Sequence, residues 1–154
     1  MFDSIKGFFR AISLTDDEDQ RSQGEDDVRV ASAALLFHII EADGIVTDAE
    51  RSRLVDILGD EFGLSVQEAE RLAREGKQAD QQSIDLYHFT SILKRELSEE
   101  HRVRFVELLW EVTYADGEVH ELEDNLIWRI SELLGVSTRE RMLMKQEAAG
   151  RQNR

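Results

Sequence analysis

The chain contains neither cysteine nor proline. Without cysteine, a disulfide framework and thiolate ligands for a metal are excluded, which fits a reducing compartment. Without proline, no long segment carries a helix breaker, so helix ends must be set by glycine and by capping residues. The sequence also lacks an apolar run long enough to cross a bilayer. With 154 residues, of which 41% are hydrophobic, these absences favour one helical domain with a single core.

Positive charge is scarce, because 19 Lys and Arg stand against 33 Asp and Glu and give a formal net charge of −14. Such a surface repels nucleic acid phosphates, so we expect no nucleic acid partner. It is compatible with solubility, with basic partners and with bound cations. The segment Met1–Ile12 lacks the uninterrupted apolar core and small-residue cleavage site of a secretory signal peptide. We therefore expect a cytoplasmic protein, with the inner face of the membrane as the alternative location.

Charge and apolar spacing divide the chain into four parts. Residues 1–12 predict an amphipathic helix, whose apolar face supplies the candidate interaction residues Phe2, Ile5, Phe8, Phe9 and Ile12. Residues 13–27 are rich in acids and poor in apolar side chains, and they predict a flexible linker. Residues 28–148 carry the periodic pattern of a helical domain, and residues 149–154 form a short basic tail.

The apolar spacing within residues 28–148 stays near 3.6 and predicts seven helices and no strand. A capping box is expected at Thr47–Glu50 and another at Ser65–Glu68, whereas His120–Glu123 is expected to lack one. Trp110 and Trp128 fall on periodic positions and are expected to pack in the core. The expected helices are about 28–42, 48–62, one that starts after Ser65, 84–97, 99–115, 121–134 and 138–148.

An internal repeat is the most informative pattern. Leu35–Val46 and Leu108–Val119 each contain Leu-Leu-aromatic followed by Ala-Asp-Gly-x-Val, and Glu50 matches Glu123 at the same offset. With a one-residue gap, the segment that begins at Phe62 matches the one that begins at Leu134. A unit of three helices thus occurs twice, with the fourth helix between the copies, and it predicts a pseudo-twofold bundle.

The repeated Ala-Asp-Gly-x-Val-x-x-x-Glu motif matches the second half of an EF-hand calcium loop. The first half does not match, because Ile39 and Val112 would occupy its first ligand position and too few oxygens remain for Ca²⁺. Two interpretations stay open. The glycines end helices and the acids serve as caps or bond loop amides, or a Ca²⁺, Mg²⁺ or Mn²⁺ ion is held with water by the candidate ligands Asp43, Glu50, Asp116 and Glu123.

Other chemistry-bearing residues give weaker signals. His38 follows Phe37 in an apolar helix and is expected to be a partly buried core histidine, as is His88. No phosphate-binding loop or nucleophile elbow occurs, and acids are too abundant for a catalytic pair to be recognised. We therefore expect a binding domain and no enzyme.

The paired motif within Leu35–Leu58 and Leu108–Leu134, together with the middle segment Asp85–Phe89, resembles the TerB-like family. That family includes bacterial tellurite-resistance TerB proteins and the N-terminal domain of DjlA co-chaperones. The resemblance covers about Val28–Met144. It implies an all-α domain with a pseudo-twofold arrangement, no established catalytic activity and a link to tellurite or general stress resistance. It also implies a metal or partner role for Asp43, Glu50, Asp116 and Glu123.

The expected function is a non-catalytic TerB-like binding or adaptor domain that acts through protein contacts, with or without a divalent cation. The partner protein is unidentified, and a second copy of the chain is one candidate. The alternative is a membrane-surface adaptor that is anchored peripherally by the helix at residues 1–12. A metal-dependent enzyme is the third interpretation.

Overall fold

Seven α-helices and one short 3₁₀ turn make up nearly all of the described structure. The computed structural model describes residues 18–42, 44–117 and 119–152, with side chains described from Gly24 onward except at positions 116 and 152. The predicted all-α architecture is confirmed, since no strand occurs among these residues. The helices are α1 (Glu18–Ile40), α2 (Asp48–Phe62), α3 (Val66–Gln82), α4 (Tyr87–Glu96), α5 (Glu99–Thr113), α6 (Glu121–Leu134) and α7 (Thr138–Gln152), and the 3₁₀ turn Tyr114–Asp116 follows α5.

The first helix starts earlier than its apolar pattern indicates. Contrary to the flexible linker predicted for residues 13–27, the chain is helical from Glu18 onward. Acids in a first turn are favoured by the helix dipole, and a helix that continues from a buried segment needs no new nucleation. The last helix likewise runs past the predicted boundary at residue 148, to Gln152. The predicted amphipathic helix at residues 1–12 and its five apolar residues lie outside the described part, and the division into domains stays a prediction.

The two Asp-Gly joints have the same backbone geometry. Gly44 has a φ of 81° and Gly117 a φ of 90°, the left-handed region that favours glycine. Each amide donates to the carbonyl three residues earlier, Gly44 to Glu41 and Gly117 to Tyr114, both at 2.9 Å. A Cβ at either position would meet nothing within 4 Å. The backbone conformation, and not a lack of space, therefore requires glycine, and the predicted likeness of the joints is confirmed.

The second matched segment also forms two like joints. The amide of Leu64 donates to Gly59 at 3.0 Å, and that of Val136 donates to Ser131 at 2.9 Å, the bond to the fifth residue back that closes a Schellman motif. A serine then caps the next helix by a reciprocal pair of bonds with the glutamate three residues on. These pairs are Ser65 with Glu68 and Ser137 with Glu140.

Helix α1 occupies the middle of the bundle. It packs against α2, α3, α4, α5 and α6, most extensively against α3, and its counterpart in the second repeat, α5, packs most extensively against α7. Every residue from Ala31 to Phe37 is buried. Trp110 in α5 is fully buried, as predicted, and donates from Nε1 to the Arg141 carbonyl at 3.1 Å. Trp128 is 50% exposed, so its predicted packing role is wrong: the apolar period places Ile127, its neighbour, inward. None of the described helices is both long enough and apolar enough to span a membrane.

Helices α1 and α3 approach so closely that glycine is required between them. A Cβ at Gly76 would lie 2.5 Å from the Ala33 Cβ and 2.8 Å from the Ala34 amide nitrogen. Real Cβ atoms do not come so near to a backbone, because interiors are close-packed and yield little. The contact of Gly76 with Ala33 thus sets the spacing between the two helices.

We predict that Gly76→Ala lowers the free energy of unfolding by about 1–3 kcal/mol, the usual cost of overpacking. Alanine's higher helix propensity, worth about 1 kcal/mol, does not compensate, because the obstructing atoms belong to the α1 backbone. Urea denaturation measures the loss. Gly150→Ala is the matched control, since it lies in α7 with nothing within 4 Å of its Cβ. Equal stabilities of the two variants would contradict the close contact.

Candidate functional site

The glutamates of the two Asp-Gly motifs serve as helix caps. Glu50 is buried, and its Oε1 accepts hydrogen bonds from the amide and the hydroxyl of Thr47, both at 3.0 Å. Glu123 is buried as well, and its Oε1 accepts from the His120 amide at 3.1 Å. The expectation that His120–Glu123 lacks a capping-box contact is therefore wrong, because the carboxylate that reaches back does not depend on a serine or threonine at the cap.

Of the four candidate metal ligands in these motifs, the structure describes the side chains of Glu50 and Glu123. Asp43 lies outside the described residues, and the side chain of Asp116 is not described. The metal assignment of Asp43, Glu50, Asp116 and Glu123 stays a prediction, and the hydrogen bonds seen at Glu50 and Glu123 belong to the structural interpretation.

An imidazole and two carboxylates meet where the end of α1 lies against α3. His38 Nδ1 is 2.8 Å from Asp80 Oδ1, and a ligand atom from each of His38, Glu41 and Asp80 lies within 4.8 Å of the other two. His38 and Glu41 are three residues apart and so share a helix face. Asp80 is four residues after Gly76, on the face of α3 that touches α1. Asp80 is buried, whereas His38 and Glu41 are half-buried. We call these three residues the histidine–carboxylate cluster.

The charges within the cluster act on one another. The hydrogen bond that His38 donates to the Asp80 carboxylate raises the pKa of His38; burial opposes this rise, and the charges of Asp80 and Glu41 add to it. Burial raises the pKa of Glu41, and the neighbouring charge of Asp80 raises it further. The cluster therefore favours a positively charged group between two carboxylates that repel each other.

Sequence reasoning found only part of this cluster. His38 was expected to be a core histidine, and it is half-buried but paired with an acid. Asp80 carries no motif and stands among many acids, so it could not be singled out. The available signal was the spacing of Gly76 and Asp80 along one helix face, because a glycine in the interior of a helix marks a close approach.

The second repeat carries a different ion pair in the corresponding place. At the constant offset of the repeat, His38 corresponds to Glu111 and Glu41 to Tyr114. Glu111 forms an ion pair with Arg151 of α7, just as His38 pairs with Asp80 of α3. Both pairs connect the first and third helices of their unit, with the charges reversed. A structural role in joining these helices is thus common to both repeats.

Glu111 belongs to a larger network that joins α2, α5 and α7. Arg104 of α5 forms an ion pair with Glu61 of α2 and another with Glu107 at 2.7 Å. Arg151 reaches the same Glu107 at 2.8 Å. Burial raises the pKa of Glu61, and the charge of Arg104 opposes that rise. Because each buried carboxylate in this network has an arginine beside it, the network needs no added cation.

A groove of ≈ 740 Å³ runs between α1, α2 and α3. Its floor is apolar and its rim carries charges of both signs, and Glu41 lies both in the groove wall and in the histidine–carboxylate cluster. Lys77 lies with its ammonium 5.8 Å from the centroid of the Phe37 ring. Apolar residues that line the groove are Phe37, Ile40, Val46, Leu54, Val55 and Val66.

We predict that Glu50→Gln keeps most of the stability of the chain, whereas Glu50→Ala loses about 1 kcal/mol or more. A glutamine oxygen can still accept from the Thr47 amide, because glutamine also serves at this position of a capping box. Chemical denaturation of the two variants measures the difference. If glutamine proved as damaging as alanine, the negative charge and not the acceptor would be what the joint uses.

We predict that the His38–Asp80 pair stabilises the fold in acid. The folded pKa of His38 lies above the ordinary histidine value of about 6.5, so its contribution is fully present below about pH 6.5 and is lost as pH rises through the folded pKa. The stability advantage of the wild type over His38→Gln should therefore shrink as pH rises above about 6.5. His88→Gln, the same substitution at an exposed histidine, is the matched control. An advantage that grew with pH would contradict the pairing.

Comparison with known proteins gives one finding. The model of the family described as "Tellurite resistance protein TerB" matches residues 29–146. Neither a curated protein nor a solved structure matches the chain. The matched range includes most of α1 and all of α2 to α6, as well as both Asp-Gly joints and the histidine–carboxylate cluster. Since it covers well over half of the sequence, the chain belongs to the TerB family of tellurite-resistance proteins.

Proposed function

We propose that this chain is a non-catalytic binding domain of the TerB family that acts through protein contacts, in tellurite or general stress resistance. The observation that carries the proposal is the groove between α1, α2 and α3. An apolar floor with a charged rim is the surface on which the apolar face of an amphipathic helix docks. At the mouth of the groove, Val66 is 68% exposed, an apolar side chain that a docked helix would cover.

The occupant we propose is the segment Met1–Ile12 of a second copy of the chain. Its apolar residues have helical spacing, and a free helix of this length is marginal in water, so it needs a surface to cover its apolar face. Its polar side carries Lys6 and Arg10 against Asp3. The groove rim carries three basic side chains and four acidic ones, and the acids can pair with Lys6 and Arg10. The four acids are Glu41, Asp48, Asp56 and Glu70.

Distance favours a second copy over docking within one chain. Helix α1 has 23 residues and is about 34 Å long, and Phe37 and Ile40 of the groove lie at the end opposite Glu18. Residues 13–17 span at most about 18 Å, and a helix of residues 1–12 adds about 18 Å. Within one chain, that helix would lie alongside Phe37 and Ile40 only if residues 13–17 were almost fully extended, a constraint that a second copy does not have.

A photo-crosslinking experiment on the full chain tests the proposal. We expect p-benzoylphenylalanine in place of Phe8 to give crosslinked dimers, with the links mapped by mass spectrometry to the walls of the groove. Val66→Glu should suppress these dimers, because it places a charge at the groove mouth. Ile84→Glu is the matched control, since Ile84 is 100% exposed and outside the groove, and it should leave them unchanged.

Three outcomes would overturn this assignment. Links within one chain would keep the groove but remove the second copy. Links that map elsewhere, or that survive Val66→Glu, would remove the groove as the docking surface. Co-sedimentation with vesicles of anionic lipid that is lost in Phe8→Glu, without crosslinked dimers, would support the membrane-surface alternative.

A further inference from the structure

We propose that His38, Glu41 and Asp80 bind one divalent transition-metal cation of the Zn²⁺ class. This site shares Glu41 with the rim of the groove described above and is separate from the Asp-Gly motifs. The three side chains already offer one nitrogen and two carboxylate oxygens within 4.8 Å of one another. Bonds from Zn²⁺ to such atoms are about 2.0–2.2 Å long, so ligand atoms around one ion lie about 3–4 Å apart. Small side-chain rotations are enough to reach that arrangement.

The kind of cation follows from the donor atoms. Zn²⁺ takes histidine nitrogen and carboxylate oxygen as ligands, and many of its sites have three protein ligands with water in the fourth position. Ca²⁺ takes six to eight oxygens and Mg²⁺ an octahedron of oxygens, and neither favours an imidazole nitrogen. The cluster has too few oxygens for the first and the wrong donor for both. It therefore selects a borderline transition metal over Ca²⁺ and Mg²⁺.

The helix packing holds the ligands at a fixed separation. His38 and Glu41 lie at the end of α1 and Asp80 lies in the last turn of α3. Gly76, one turn before Asp80, touches the α1 backbone at Ala33 and so fixes the distance between the helices. A site whose ligands stand on two tightly packed helices needs little reorganisation when the ion enters.

A comparison of the two repeats explains why we place the cation in the first repeat and not in the second. There the residue equivalent to His38 is Glu111, and Arg151 supplies the positive charge that neutralises it. The residue of the first repeat that corresponds to Arg151 is Ala79, which carries no charge. Two carboxylates thus face one imidazole in the first repeat, with the charge of Lys77 also acting on Glu41. A divalent cation bound between the two carboxylates would balance their charge as the arginines do in the second repeat.

Metal titration of the full, tag-free chain tests the site. We expect isothermal calorimetry to show one Zn²⁺ per chain, and Co²⁺ to give the visible absorption bands of a low-coordinate nitrogen and oxygen site. His38→Gln and Asp80→Asn should each weaken Zn²⁺ binding by about a hundredfold or more. His88→Gln, the same substitution at an exposed histidine outside the cluster, should bind as the wild type does. Val66→Glu should also bind Zn²⁺ normally, which separates this test from that of the groove.

Circular dichroism of each variant checks that it is folded. If His38→Gln or Asp80→Asn unfolds, the half-buried Glu41 gives the decisive variant, Glu41→Gln, with the same expected loss. A wild-type chain that binds no Zn²⁺ below about millimolar Kd would overturn the proposal. So would Zn²⁺ binding that survives the cluster variants but is lost in Asp43→Asn or Asp116→Asn, because it would place the ion at the Asp-Gly joints.

Discussion

The close packing of α1 against α3 is the contact from which the arrangement of the remaining helices follows. α1 touches five other helices, and its central residues are buried on every side. A helix that is apolar all round must be enclosed by others, so the rest of the bundle is arranged as a shell around it. The approach at Gly76 is close enough to leave no room for a side chain. It also brings Asp80 up to His38 and forms one wall of the groove.

Much of this fold is predictable because the residues that start and end its helices act locally in the sequence. Without proline, the ends of helices depend on glycines such as Gly44 and Gly117 and on capping residues such as Ser65, all of which are legible in the sequence. The start of α1 was not predictable in the same way. Its acidic residues look like a linker by composition, and they are helical because they continue a segment whose burial is decided by contacts far away in sequence.

The candidate site was less predictable than the fold, for a related reason. The motif glutamates Glu50 and Glu123 attract attention because they recur, yet recurrence here reflects a shared way of starting a helix. Asp80 does not recur and stands in no motif, and its importance arises only from the neighbour that tertiary packing gives it. Residues that recur in both halves of this chain indicate the architecture that the halves share. A site present in only one half depends on residues, such as Asp80, that differ between the halves.

The opposite polarity of the two interhelical ion pairs bears on how the chain avoids folding with its halves exchanged. Two similar units in one chain could pair their helices in the wrong combination, with α1 against α7 or α5 against α3. The first arrangement would set His38 against Arg151, and the second would set Glu111 against Asp80. The second mispairing would bring two carboxylates together in a poorly hydrated contact, and the first would leave Arg151 beside an imidazole in place of its carboxylate partner, so both are costly. The difference between these two residue pairs thus favours packing of each third helix against the first helix of its own half.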